Sequence, residues 1–290
     1  MQNLSLQIAN WRVLIHADFD KPLLKLPFAY EPFVPSHNQP TNWKLDIQYS
    51  PFPSLNGLEL IYDTCESWTL FQKNKQLWYR RPSLAAGEAW GWLCLEKEEL
   101  RGTIFLSKRG SYCRQVLPVF THPLDQLLFF YWLSFYPALI THSCGVGVDD
   151  FGYAFLGHSG WGKTTLTRLF GKYSKHLRLS DDRLIIAKQE KNWRLFGTPW
   201  HGDAKVYSPA SFPLKKIFFL KHGKQNEITP INPATAAAKV FAMSFPVLWN
   251  LSKRNHALDM ASQIATDIPC YEFTFLPDGS AVDFLEKNLF

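Results

Sequence analysis

The segment Gly157-His158-Ser159-Gly160-Trp161-Gly162-Lys163-Thr164 fits the pattern G-x-x-x-x-G-K-[ST] without a gap. Each fixed position has a mechanical reason. Glycine lets the backbone turn through positive φ and bring N–H groups against phosphate oxygens. A lysine in the place of Lys163 reaches the β- and γ-phosphates, and a hydroxyl in the place of Thr164 ligates magnesium. A helix that starts there adds the positive end of its dipole. From average residue frequencies, a chance match in a chain of this length has odds of about 1%. The pattern therefore implies ATP, or its diphosphate product ADP, held with Mg2+. Its expected contacts are Gly157, Ser159, Gly160, Trp161, Gly162, Lys163 and Thr164. Thr165 is either a contact for the α-phosphate or an ordinary helix residue.

Such a loop needs a carboxylate at the end of a neighbouring strand to complete the metal shell. The run Leu179-Ser180-Asp181-Asp182 supplies two, directly after a short apolar stretch. Two adjacent acids can divide the labour: one, taken as Asp181, holds magnesium with Thr164. The other, taken as Asp182, accepts a proton from an attacking hydroxyl, the role a base plays in a kinase for an alcohol. Alternate side chains of an extended chain face opposite sides, so both acids reach one site only if the chain turns there. His142, just upstream of the loop, is a candidate catalytic group or a packing residue. The loop Gly197-Thr198-Pro199-Trp200-His201-Gly202-Asp203 mixes punctuation with polar and aromatic side chains. Thr198, Trp200 and His201 are its candidate substrate contacts.

Positioning these groups requires a strand, a turn and a helix in order. Residues 153–156 read as a strand, and Leu166, Leu169 and Phe170 share one face of a helix over 164–173. Upstream, apolar residues 139–148 form a strand that turns back at Asp149, Asp150 and Gly152. Leu124, Leu127, Leu128, Tyr131 and Phe135 recur at helical spacing up to Pro137. Further strands are expected at 177–179, 184–188, 193–196, 215–220 and 270–275, and helices at 233–241, 256–266 and 280–288. Residues 1 to 115 read as a β-rich region, with strands at 11–16, 43–49, 58–62, 68–72, 76–80, 88–95 and 102–107. A loop carrying Pro27, Pro32, Pro35 and Pro40 interrupts them. The expected organisation is a β-rich N-terminal region, 1–115, and an α/β (α+β) P-loop domain, 116–290.

Composition narrows the partners. Hydrophobic residues make up 46% and charged residues 19% of the 290, ordinary for a globular chain. The net charge of +6 is mild and comes without a dense basic run, so it suits an anion pocket and argues against a nucleic-acid partner. The five cysteines, Cys65, Cys94, Cys113, Cys144 and Cys270, show no C-x-x-C spacing, which argues against a zinc site or a disulfide framework. The N-terminus lacks signal-peptide features, and the apolar stretch at 124–140 is interrupted and shorter than the ~20 residues of a span. A soluble cytoplasmic protein without a membrane partner is expected. Self-association stays open.

The ordered set of His142, the glycine loop and Ser180-Asp181-Asp182 resembles the catalytic domain of HPr kinase/phosphorylase over roughly residues 116–290. The resemblance implies a core related to phosphoenolpyruvate carboxykinase. The E-x-x-G-R-G-x-G stretch linked with the phosphorylase activity of that family does not follow the Asp pair, and the loop ends in Thr164-Thr165 rather than Ser-Glu. The pattern is more similar to the HPr-kinase-related proteins of peptide-maturation systems. Those share the G-T-P-W-x-G segment, here residues 197–202, and a later Pro-Leu with an apolar strand, here Pro213-Leu214 and 217–220. That resemblance implies an ATP-dependent kinase acting on a serine hydroxyl of a peptide or protein, such as a ribosomal precursor peptide, with His142 and the 197–203 loop in the site. The N-terminal region would help orient the acceptor. Two other classes fit a nucleotide loop: a regulatory protein that binds ATP without transfer, and an NTP hydrolase.

Overall fold

The computed structural model describes all residues except 37–39, 50, 51, 53, 55, 83–88, 98, 107–115, 121, 289 and 290. Cys113 and parts of the strands expected at 88–95 and 102–107 lie outside the described residues, and the boundary expected at 115/116 falls at the edge of one such stretch. The chain divides into two compact units, Met1–Trp132 and Leu133–Phe290.

The first unit contains β1 (Gln2–Ile8), β2 (Trp11–Ala17), β3 (Leu23–Lys25), β4 (Trp43–Tyr49), β5 (Glu59–Asp63), β6 (Thr69–Lys73), β7 (Gln76–Pro82), β8 (Ala89–Glu96), β9 (Arg101–Leu106), β10 (Val116–Pro118) and helix α1 (Leu124–Leu133). Eight of these strands form one sheet in the order β1-β2-β4-β9-β8-β7-β6-β5. Alternation decides its faces: Trp43, Leu45 and Ile47 of β4 are buried while Lys44 is exposed. Helix α1 covers the buried face, with the Trp132 and Phe129 rings 4.6 and 5.4 Å from that of Trp43. The proline-bearing stretch holds a 3-10 helix, Phe28–Phe33, against the sequence expectation of a plain loop.

The second unit runs β11 (Ala138–Val148), β12 (Phe151–Leu156), α2 (Lys163–Tyr173), β13 (Leu177–Ser180), β14 (Arg183–Gln189), β15 (Asn192–Phe196), β16 (Ser211–His222), β17 (Glu227–Pro230), α3 (Pro233–Ala242), α4 (Leu251–Asp267), β18 (Cys270–Phe275) and α5 (Ser280–Asn288). Strands β11 and β12 form the expected hairpin, with Asp149 at φ 49° in its turn. Strand β12 pairs parallel with β16, and β16 parallel with β18. Three strands thus end on the same edge, where the loop of residues 157–162 emerges. The architecture is mixed α/β with large sheets.

Both faces of this sheet are covered, which explains its near-continuous apolar strands. Tyr153 and Phe155 of β12 pack with Leu166, Leu169 and Phe170 of α2 and Ala281, Val282 and Leu285 of α5. Ala154 and Leu156, on the other face, join Ala236 and Val240 of α3 and Met260, Ala261 and Ile264 of α4. Phe155 sits 5.1 Å from the Phe218 ring and 5.7 Å from that of Phe170, fully buried. Among the described residues no helix is long and apolar enough to cross a membrane.

Phe155 holds the strand that carries the loop. Phe155→Ala should destabilise the protein by about 3–5 kcal/mol. The exposed Phe151→Ala on the same strand should cost under about 1 kcal/mol. Urea unfolding of the two variants checks this, and equal midpoints would contradict the packing described.

Candidate functional site

The loop after β12 is shaped by glycines. Gly160 and Gly162 take φ values of 83° and 92°, where an L side chain is strained. Gly162 is also the N-cap of α2 and makes no side-chain capping bond, so the positive end of the helix meets the loop directly. A Cβ on Gly162 would lie 2.7 Å from the Phe275 ring at the end of β18. The end of β16 contributes as well, since His222 Nε2 lies 3.0 Å from the Gly160 carbonyl oxygen. The first strand of the hairpin, β11, joins from the side: the Gly157 N–H donates to the His142 carbonyl at 3.3 Å.

Lys163 is 6% exposed, and its ammonium donates to the carbonyls of Gly157 and His158 at 2.6 and 3.0 Å. Burial, opposed by the neighbouring Cys144 and Asp181 and assisted by Arg183, lowers its pKa to about 8. Thr164 and Thr165 follow it into the same cavity, which measures about 450 Å³. That volume lies within the range of small-molecule sites. The cavity is further lined by His142, Ser159, Gly160, Gly162, Arg168, Asp181, Asp182, Gly202 and Asp203.

The chain does turn at the Asp pair, between the end of β13 at Ser180 and the start of β14 at Arg183. Both carboxylates therefore face the cavity, but in different settings. Asp182 Oδ1 lies 3.1 Å from His142 Nε2, and its other oxygen pairs with the Arg183 guanidinium. Arg183 in turn lies over the Phe245 ring at 4.7 Å. Burial, together with the Lys163 and Arg183 charges, lowers the His142 pKa to about 4. His142 is thus a neutral imidazole near pH 7, suited to donating a hydrogen bond rather than to abstracting protons. Asp181 is 1% exposed and accepts three backbone N–H bonds, from Gly202, Ala204 and Val206 at 2.9, 2.8 and 3.2 Å.

Of the residues singled out in the sequence, His142, Ser159, Gly160, Gly162, Lys163, Thr164, Thr165, Asp181 and Asp182 are brought together. Trp161 is half-buried and packs on the apolar clusters of both sheet faces, away from the cavity lining. Thr198 and Trp200 are buried beneath the site: Thr198 Oγ1 donates to the Arg183 carbonyl at 2.6 Å and Ser180 Oγ to that of Trp200 at 3.0 Å. His201 is exposed with its ring toward Tyr207, so the part of this loop that lines the cavity is Gly202 and Asp203. Arg168 escaped the sequence reading. It stands one turn after Thr164 on α2, and that i, i+4 spacing was the available signal.

Among the described residues no group of three or more His, Cys, Asp or Glu stands ready to hold a metal. One hydroxyl and one or two carboxylates fit magnesium where phosphate oxygens supply much of the shell, as that ion commonly requires.

No protein-family model and no curated protein sequence matches the chain. One similar solved structure is the HPr(Ser) kinase/phosphatase from Coxiella burnetii, with 11% identity, 52% of this chain and 87% of that chain covered, and a TM-score of 0.29. A likeness of that size carries no argument about what this chain does.

The depressed pKa of His142 has a consequence for stability. Between its unfolded value of 6.5 and its folded value of about 4, the unfolded chain binds a proton that the folded one refuses. Stability is therefore lost as pH falls through this window, by up to about 3 kcal/mol from this group. His142→Asn should show a flatter fall between pH 6.5 and 4. Parallel profiles from denaturant titrations would contradict the assignment.

Proposed function

We propose that the protein is an ATP-dependent kinase that transfers the γ-phosphate to a hydroxyl, a serine of a peptide or protein. The observation that carries the reading is the convergence of Lys163, Thr164, His142 and Asp182, from three segments of the chain, on one cavity above the ends of parallel strands. The motif set and its resemblance to HPr-kinase-related proteins support the same reading.

In this reading the loop amides and the first turn of α2 hold the phosphates, and Lys163 faces the charge that develops on the transferring group. Thr164 and a carboxylate of the Asp pair hold magnesium, which when bound neutralises β- and γ-phosphate charge. The acceptor oxygen attacks the γ-phosphorus as the bond to the β-phosphate oxygen breaks and ADP leaves. The hydroxyl proton passes to the Asp182 carboxylate, which His142 and Arg183 orient. With its pKa near 4, His142 stays neutral and holds Asp182 without competing for the proton.

Lys163→Ala should abolish transfer of label from γ-labelled ATP to serine peptides, with the label located by mass spectrometry. Turnover like wild type would remove the loop as the active centre. Thermal stabilisation by ATP should require magnesium, and an equal shift in EDTA would remove the metal role of Thr164. Lys163 is cationic only below its pKa of about 8. ATP affinity measured by calorimetry should thus fall above pH 8, by at most about tenfold per pH unit.

A further inference from the structure

Asp181 and Asp182 are neighbours in sequence and line one cavity, yet their oxygens are engaged in unlike ways. A carboxylate offers about four lone-pair sites. Asp181 commits three of them: Oδ1 accepts from Gly202 at 2.9 Å and Val206 at 3.2 Å, and Oδ2 from Ala204 at 2.8 Å. Charge-assisted bonds of this kind are the strong ones. Space is closed on the same side, because a Cβ on Gly202 would lie 2.8 Å from Asp181 Oδ2.

The segment these bonds hold is a tight structure. Lys205 N–H donates to the Gly202 carbonyl at 3.1 Å, and Lys205 takes a φ of 53°. A non-glycine residue there persists only where its surroundings over-determine it. The base of the segment is anchored by Ser180, through its bridge to Tyr207 and its bond to the Trp200 carbonyl. From the other side Arg168 of α2 donates to the Asp203 carbonyl at 3.2 Å. Gly202 and Asp203 of this lip line the cavity together with Lys163, Thr164 and Asp182.

We infer that Asp181 is a positioning residue that clamps residues 202–206 as the acceptor-side lip of the phosphate cavity, and that Asp182 is the carboxylate of the pair that meets the reacting groups. The inference rests on the kinase reading for its acceptor side only. The clamp itself stands on geometry. Gly202→Ala is the second variant: it keeps both carboxylates and disturbs the clamp from the lip, its Cβ pressing on Asp181 Oδ2 at 2.8 Å and reaching Asp182 Cβ at 3.5 Å.

The test uses the full chain with ATP, magnesium or EDTA, and a serine-peptide library as acceptor probe, at a temperature where all variants remain folded. Asp181→Asn and Gly202→Ala should each speed amide hydrogen exchange in residues 202–206 at least tenfold. Both should keep the magnesium dependence of ATP affinity, while Asp182→Asn weakens it. Both should raise the half-saturating library concentration more than they lower the saturating rate. The double variant Asp181→Asn with Gly202→Ala should be no worse than Asp181→Asn alone, as expected for two cuts in one interaction. Loss of magnesium dependence in Asp181→Asn but not in Gly202→Ala overturns the inference, as does unchanged exchange in residues 202–206. If the wild-type protein labels no peptide, the kinase reading fails. The exchange and magnesium measurements then still decide the role of Asp181.

Discussion

The parallel pairing of β12 with β16, running from Gly152↔Leu214 to Leu156↔Phe219, is the constraint on which the second unit depends. It points the end of β12 at the same edge as the ends of β16 and β18. The loop that follows must then cross that edge before α2 can pack back on the sheet through Leu166, Leu169 and Phe170. Gly162 meets Phe275 and Gly160 meets His222 because those residues end the two strands alongside. The antiparallel partner β11 enters the same edge from the opposite direction, which is how His142 comes to bond the first residue of the loop.

The electrostatics of the site follow from that packing. Lys163 is buried because α2 begins at a sheet edge closed on both faces, and the loop carbonyls take the place of water around its ammonium. Arg183 is fixed by its stack on Phe245 and its pair with Asp182. Those two cations, with burial, keep His142 neutral. A neutral donor beside a carboxylate that is also paired with an arginine is a fixed arrangement, and it limits how Asp182 can move. Asp181 has a different task, because its bonds run to backbone rather than to side chains.

Much of the second unit was legible in the sequence because local physics wrote it. The glycine loop needs positive φ at set positions, and Gly160 and Gly162 supply it. Alternation and helical spacing give β11, β12, α2 and β14 within a few residues. The four-residue strand β17 and the three-residue strands β3 and β10 were not legible, since segments so short carry too few side chains to show a period. The 3-10 helix Phe28–Phe33 was hidden in a run whose prolines announce only the absence of a central strand.

The sequence by itself determined which residues could hold phosphate and metal, because those roles depend on residue type and on spacing within a single turn of chain. Tertiary structure alone decided how the acids divide. Nothing in Ser180-Asp181-Asp182-Arg183 says that the first aspartate meets the amides of Gly202, Ala204 and Val206, or that the second meets His142. The same holds for Thr198 and Trp200, whose types suggest ligand contact but whose burial makes them supports. Those partners lie some twenty to forty residues away along the chain. Which distant backbone a side chain meets is set by sheet register and loop closure, and residue type carries no record of either.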